Sequence, residues 1–211
     1  MNTFRRFGLS LLLTGAMVSA FGAAQPGKDF SAISPAQPTD VAPGKVEVVE
    51  FFSYACPHCN HLEPSLEAWT KKQPAGVTVR RIPVTFGRNE WVSLARLYYT
   101  LETLGEVERL NGKVFHAIHD QHINLSSAEA CISWAGTQGL DTKKFTDVYN
   151  SFSVESKLQR ANVKAQAYAI DGVPTLIVGG RYRTSPAMAG GNEQALTVAD
   201  ELIASLGKEK H

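Results

Sequence analysis

The chain has 211 residues, 44% of them hydrophobic, with 21 basic and 20 acidic side chains and a net charge of +1. So even a balance gives no electrostatic case for nucleic acid or an anionic membrane as partner. The length suffices to bury a core, and three cysteines are too few for a disulfide-stapled scaffold.

Arg5 and Arg6 precede an apolar stretch over 9–21, and small residues follow, ending Gly22-Ala23-Ala24. This is the three-part pattern of a secretory signal, with cleavage expected after Ala24 and a site after Ala20 as the alternative. An uncleaved anchor is the competing reading, but the stretch is short for a membrane span. No later segment is long and apolar enough to span. The mature chain is therefore expected in a non-cytoplasmic compartment, most simply a bacterial periplasm. Removing 1–24 takes away two arginines and no acid, so the chain stays near neutral.

Residues 25–44 carry Pro26, Pro35, Pro38 and Pro43 and read as an extended lead-in. The apolar run 46–53 predicts a strand buried on both faces. A helix is expected from Pro57 to Lys72, with Pro57 in the first turn and a kink at Pro64. Residues 77–86 alternate in part and read as a second strand. From 89 to about 169 the pattern is helical. Trp91, Leu94, Ala95, Tyr98 and Leu101 form one stripe, closed by Gly105. Leu110, Val114, Phe115 and Ile118 form the next. Ser126 with Glu129 has capping-box spacing for a third helix that ends at Gly139. Asp141 caps a fourth and Ser153 a fifth. Strand character returns at 175–178, and Gly179-Gly180 turns the chain into a hairpin with 181–184. Asn192 is expected to cap a last helix running to Gly207.

The chemistry concentrates at Cys56-Pro57-His58-Cys59, at the junction of the first strand and the helix after it. A Cys-X-X-Cys there suits thiol–disulfide exchange: the helix N-terminus stabilises a thiolate, and the spacing lets the two sulfurs bridge. Cys56 is expected to be the more exposed and reactive thiol. Cys59 lies one turn inside. His58 places positive charge near the Cys56 thiolate. Stabilising the reduced, ionised form makes the disulfide an oxidant, so the reduced protein should unfold at a higher temperature than the oxidised one. Half of a zinc site and a purely structural disulfide are the competing readings; no second Cys-X-X-Cys supports the first, and so small a loop adds little stability in the second. Gly172-Val173-Pro174-Thr175 opens the late strand, and Val173-Pro174 is a candidate cis bond that would present the Val173 backbone to an extended substrate.

Together, Glu50-Phe51-Phe52-Ser53-Tyr54-Ala55-Cys56-Pro57-His58-Cys59 and Gly172-Val173-Pro174 resemble the DsbA-type thiol:disulfide interchange proteins of the bacterial periplasm. The resemblance implies an α/β thioredoxin fold interrupted by an all-helical insertion: thioredoxin residues 45–88 and 163–211 around an insertion at 89–162. It implies that Cys56 forms the mixed disulfide, that Cys59 is its partner, that His58 tunes the thiolate, and that Pro57, Val173 and Pro174 contact substrate. Glu50 matches a buried acid that handles the proton of the inner cysteine. On residue grounds alone, Glu50 is a charge in an apolar strand, costly unless partnered or protonated, and Arg81 is a candidate partner. The implied activity is donation of the Cys56–Cys59 disulfide to unfolded secreted proteins, with reoxidation by a quinone-linked membrane oxidase of the DsbB type, no bound cofactor or metal, and a monomeric protein. An isomerase or reductase on the same fold and a non-enzymatic peptide-binding chaperone are the alternatives. Cys131, on an apolar face with Trp134 and Ala135, is expected to be a buried free thiol. His116, His119 and His122 sweep around their helix and read as solvated or packed.

Overall fold

The computed structural model describes residues 23–208. Apart from Ala23 and Ala24, the expected signal peptide lies outside the described residues. In chain order the elements are β1 (Phe30–Ala32), β2 (Val46–Phe52), α1 (Pro57–Lys72), β3 (Val77–Pro83), α2 (Asn89–Leu104), α3 (Val107–His119), α4 (Ala128–Thr137), α5 (Thr142–Tyr149), α6 (Phe152–Ala167), β4 (Thr175–Val178), β5 (Tyr182–Thr184), α7 (Pro186–Ala189) and α8 (Asn192–Lys208). The strands form one sheet of order β1-β5-β4-β2-β3. β2 and β3 are parallel, and β4 runs antiparallel to β2.

β2 is central and every one of its residues is buried, as its apolar run predicts. The period of two splits it between layers. Val46 and Val48 pack with Leu62, Leu66 and Trp69 of α1 and with Leu196, Ala199 and Leu202 of α8. Val49 and Phe51 join the core shared with the helical block α2–α6. That block stands between β3 and β4 in the chain. An edge-on aromatic cluster fastens it to the active end of the sheet: Phe52 lies 5.1 Å from Tyr54 and 5.3 Å from Tyr98, and Tyr54 lies 4.9 Å from Phe115.

Several boundaries move for local reasons. β3 stops at Pro83, short of the expected 86, because Phe86 and Gly87 take left-handed φ values of 45° and 71° that turn the chain off the sheet. Ser127, not Ser126, caps α4: the helix starts at Ala128, and Ser127 Oγ accepts from the Ala130 N–H. Ser151, not Ser153, caps α6: α5 ends at Tyr149, α6 starts at Phe152, and Ser151 Oγ accepts from the Val154 N–H. Asn192 is the first residue of α8 rather than a residue before it. α6 runs unbroken to Ala167. α1 starts and ends where expected and continues through Pro64.

Two elements have no counterpart in the sequence reading. β1 lies in the lead-in and pairs antiparallel with β5, and α7 follows β5. The lead-in is also held at the hairpin. Gly179 and Gly180 take left-handed φ of 59° and 68° in the three-residue connection between the paired Val178 and Tyr182, and the Gly180 carbonyl accepts from the Gln37 N–H at 2.9 Å. A Cβ on Gly180 would stand 2.1 Å from the Gln37 carbonyl oxygen. Gly180→Ala is therefore expected to cost about 2–3 kcal/mol, from the left-handed backbone and the backbone clash together. Urea unfolding of the two proteins measures it.

Candidate active site

The site forms where β2 runs into α1. Cys56 is the N-cap residue of α1, with extended φ and ψ of −90° and 117°, and Pro57 occupies the first helical turn. Cys56 is 8% exposed and Cys59 is fully buried, in the order expected. Both are free thiols, as is Cys131. His58 stands exposed between them. Val173-Pro174 is a cis peptide, and its loop lies against the same helix start. The Cys56 thiol donates to the Val173 carbonyl at 3.3 Å. A groove of about 750 Å³ opens alongside, walled by His58, His61, Val173, Pro174 and Met188. The residues singled out for thiol chemistry and for substrate contact thus meet in one place.

The two thiols are driven apart electrostatically. Cys56 is lowered from an ordinary 9.0 to about 6, chiefly because the Cys59 thiol hydrogen-bonds its sulfur, against the opposing effect of burial. The backbone N–H groups of Cys59 and His58 at the helix start add to this, and the charge of His58 is a smaller contribution. Cys59 is pushed strongly up by burial, by its bond to Cys56 and by the nearby Glu50 carboxylate.

Glu50 points from β2 toward α1, on the face it shares with Val46 and Val48, and is 1% exposed. Its Oε2 accepts from Arg81 Nε at 3.2 Å, so the candidate partner is the actual one. The same guanidinium reaches a second buried acid: Arg81 Nη2 donates to Glu63 Oε1 at 2.9 Å and Oε2 at 3.1 Å. Asn111 Nδ2 donates to Glu63 Oε1 at 2.7 Å, and Tyr54 Oη donates to Asn111 Oδ1 at 2.6 Å. Burial raises both carboxyls, Glu50 to about 8, and Arg81 opposes that in each case.

Glu63, Asn111 and Tyr54 were not legible as site residues. A signal existed for the first two. Glu63 lies four residues after Cys59, inside the apolar face Leu62, Leu66 and Trp69, and Asn111 interrupts the stripe of Leu110, Val114 and Phe115. Cys131 sits apart, fully buried, its thiol donating to the Leu125 carbonyl and pushed up to about 12 by burial. His119 Nε2 contacts the Tyr54 carbonyl at 2.8 Å, while His116 pairs with Asp120 on the surface. Among the described residues, no group of three or more His, Cys, Asp or Glu could hold a metal ion, and no helix is long and apolar enough to cross a membrane.

Comparison with known proteins places the chain in a family. The family described as DSBA-like thioredoxin domain matches residues 47–202. The thiol:disulfide interchange protein DsbA of Burkholderia cepacia is 41% identical over 203 residues, 96% of this chain and 95% of its own. DsbA of Bordetella pertussis is 45% identical over 181 residues, 85% of each chain. The crystal structure of Pseudomonas aeruginosa DsbA is similar with a TM-score of 0.84 at 38% identity, covering 88% of this chain and 96% of that one.

Proposed function

Since the chain belongs to the DSBA-like thioredoxin family and is a thiol:disulfide oxidoreductase, we propose that Cys56 and Cys59 are its exchanging pair and that they give their disulfide to reduced, newly secreted proteins in the periplasm. The observation that carries this is the asymmetry of the pair: the less buried sulfur lowered to about 6 at a helix N-terminus, beside a fully buried thiol raised well above the usual range. A client thiolate attacks Cys56 Sγ. The client–Cys56 bond forms, the Cys56–Cys59 bond breaks, and Cys59 leaves with the electron pair. Glu50, whose carboxyl is held protonated by burial near neutral pH, supplies the proton that a buried Cys59 thiolate demands. A second client thiolate then attacks the client sulfur of the mixed disulfide, and Cys56 leaves as a stabilised thiolate. The client has lost two electrons and the protein has gained them.

His58 supports the leaving thiolate through its backbone N–H and its charge. Val173 and Pro174 border the groove in which an extended client strand would lie, and Pro57, exposed at the start of α1 beside Cys56, would meet the client there. Reoxidation then reverses the bond changes against a quinone-linked membrane oxidase of the DsbB type, with Cys59 returning its proton to Glu50. In this reading the protein acts as a monomer without a bound cofactor, after its residues 1–24 are removed as a signal; residues 45–88 and 163–211 form the thioredoxin part and 89–162 the insertion.

The test is equilibration of the mature protein with a glutathione redox buffer, the thiols being trapped by alkylation. A potential on the oxidising side of glutathione is expected. A strongly reducing, thioredoxin-like value would turn the assignment to a reductase.

A further inference from the structure

We propose that Asn111, on α3 of the helical block, is a positioning residue that decides which of two buried carboxyls holds the proton for Cys59: by bridging Tyr54 and Glu63 it fixes Glu63 as the ionised partner of Arg81 and leaves the proton on Glu50. This deepens the reading of Glu50 given above and rests on it.

Charges and hydrogen bonds decide where the proton sits. Glu50 and Glu63 are 1% and 5% exposed and share one guanidinium. One positive charge offsets one carboxylate; a second ionised carboxylate would stand buried without compensation. The pair therefore retains one proton near neutral pH, and the surroundings choose its seat. Glu63 has both oxygens satisfied, by Arg81 Nη2 twice and by Asn111 Nδ2 at 2.7 Å. Glu50 has a single bond, from Arg81 Nε to Oε2, and its buried Oε1 has no partner. An ionised carboxylate with one bare buried oxygen is the costlier of the two, so the proton belongs on Glu50.

Asn111 tips this balance because its amide cannot turn freely. Its carbonyl oxygen is taken by Tyr54 Oη at 2.6 Å, which aims its NH₂ at Glu63. Tyr54 itself stands two residues before Cys56, and its backbone carbonyl is held by His119 of α3. The groups facing the acids are thus Arg81 from β3, Glu63, Glu67, Cys56 and Cys59 from α1 and its start, Tyr98 from α2, Asn111 from α3, and Tyr54 from the β2–α1 turn. Of these, Asn111 bonds Glu63 without carrying charge. Removing the Asn111 donor weakens the hold on ionised Glu63, draws the proton toward it, and leaves Glu50 ionised beside Cys59, where its charge opposes a departing thiolate.

The experiment compares the mature protein with Asn111→Leu, Tyr54→Phe and Glu50→Gln. The readouts are carbon-13 titration of the Glu50 carboxyl and the pH profile of single-turnover oxidation of a reduced dithiol peptide. Asn111→Leu is expected to move the Glu50 midpoint down by about one pH unit and to slow the oxidation about twofold at pH 7 and about tenfold at pH 9 and above, with the alkylation midpoint of Cys56 unmoved. Tyr54→Phe keeps the ring against Phe52 and Phe115 and removes only the hydroxyl, so it is expected to shift the midpoint the same way by less, even where Asn111→Leu fails to fold. Variants that lower the melting temperature but leave Glu50 titrating as in the parent overturn the inference and spare the role of Glu50. A Glu50→Gln profile identical to the parent's overturns the role of Glu50 and the inference with it.

Discussion

Replacing Cys56 by Ser is expected to bring thiol oxidation down to the uncatalysed background, and replacing Cys59 by Ala to end turnover while leaving a less acidic Cys56. The first follows because the more exposed sulfur of the pair is gone, and a hydroxyl neither forms a disulfide nor ionises near neutral pH. The second separates the causes of the Cys56 shift. The Cys59 thiol is the largest of them, ahead of the backbone donors at the helix start and the charge of His58. Cys59→Ala removes that donor and keeps the rest, so the midpoint of Cys56 alkylation should rise from about 6 by about one unit or more. His58→Ala removes only a minor contribution and should shift it less. The measurement is the rate of iodoacetamide alkylation against pH. A Cys59→Ala protein still titrating near 6 would mean that the helix terminus and His58 hold the thiolate by themselves.

That ranking also marks how far the sequence could be read. The β2–α1 junction, Cys56 and Cys59, and the Val173-Pro174 loop were legible because each has a local cause: an apolar run, a motif at a helix start, a proline opening a strand. The order of the helical block was legible for the same reason, since each stripe is written in periodicity and each stop in a glycine or a cap. What failed was long-range or competitive. β1 is three residues in a proline-rich lead-in and exists because β5 offers it an edge, which no local pattern announces. Ser126 and Ser127 are adjacent candidates until the start of the helix at Ala128 selects the second. The acid network is the plainest case. Glu50 and Arg81 face each other because β2 and β3 pair in parallel register, Glu50 opposite Arg81. Glu63 and Asn111 join them only once α1 and α3 have docked, 48 residues apart in the chain. Each looked like an ordinary polar residue on an amphipathic helix.

The stability of the reduced protein relative to the oxidised one is expected to grow by about 2 kcal/mol between pH 6 and pH 8. Cys56 has a depressed pKa in the folded reduced protein, about 6 against an ordinary 9.0. In that window the unfolded thiol keeps its proton while the folded one loses it. The unfolded state binds more protons, so stability rises with pH; the contribution is complete above the unfolded value and vanishes as pH falls through about 6. Above about pH 9 the sign turns. Cys59 is raised in the folded state, so there the unfolded chain releases a proton that the folded one retains. The oxidised protein has neither thiol, and its disulfide and loop constraint do not titrate. Glu50, raised mainly by burial, favours the folded state at lower pH in both redox forms, so that contribution cancels in the difference, which keeps the thiol pair and its coupling to Glu50. Urea unfolding of both forms at pH 6, 7 and 8 measures the gap. A gap that stays constant would mean the Cys56 thiolate is not stabilised by folding. The disulfide would then have no thermodynamic reason to leave the protein for a client, since the free energy that favours the reduced fold is the same that drives the donation, at about 30 mV for every 1.4 kcal/mol.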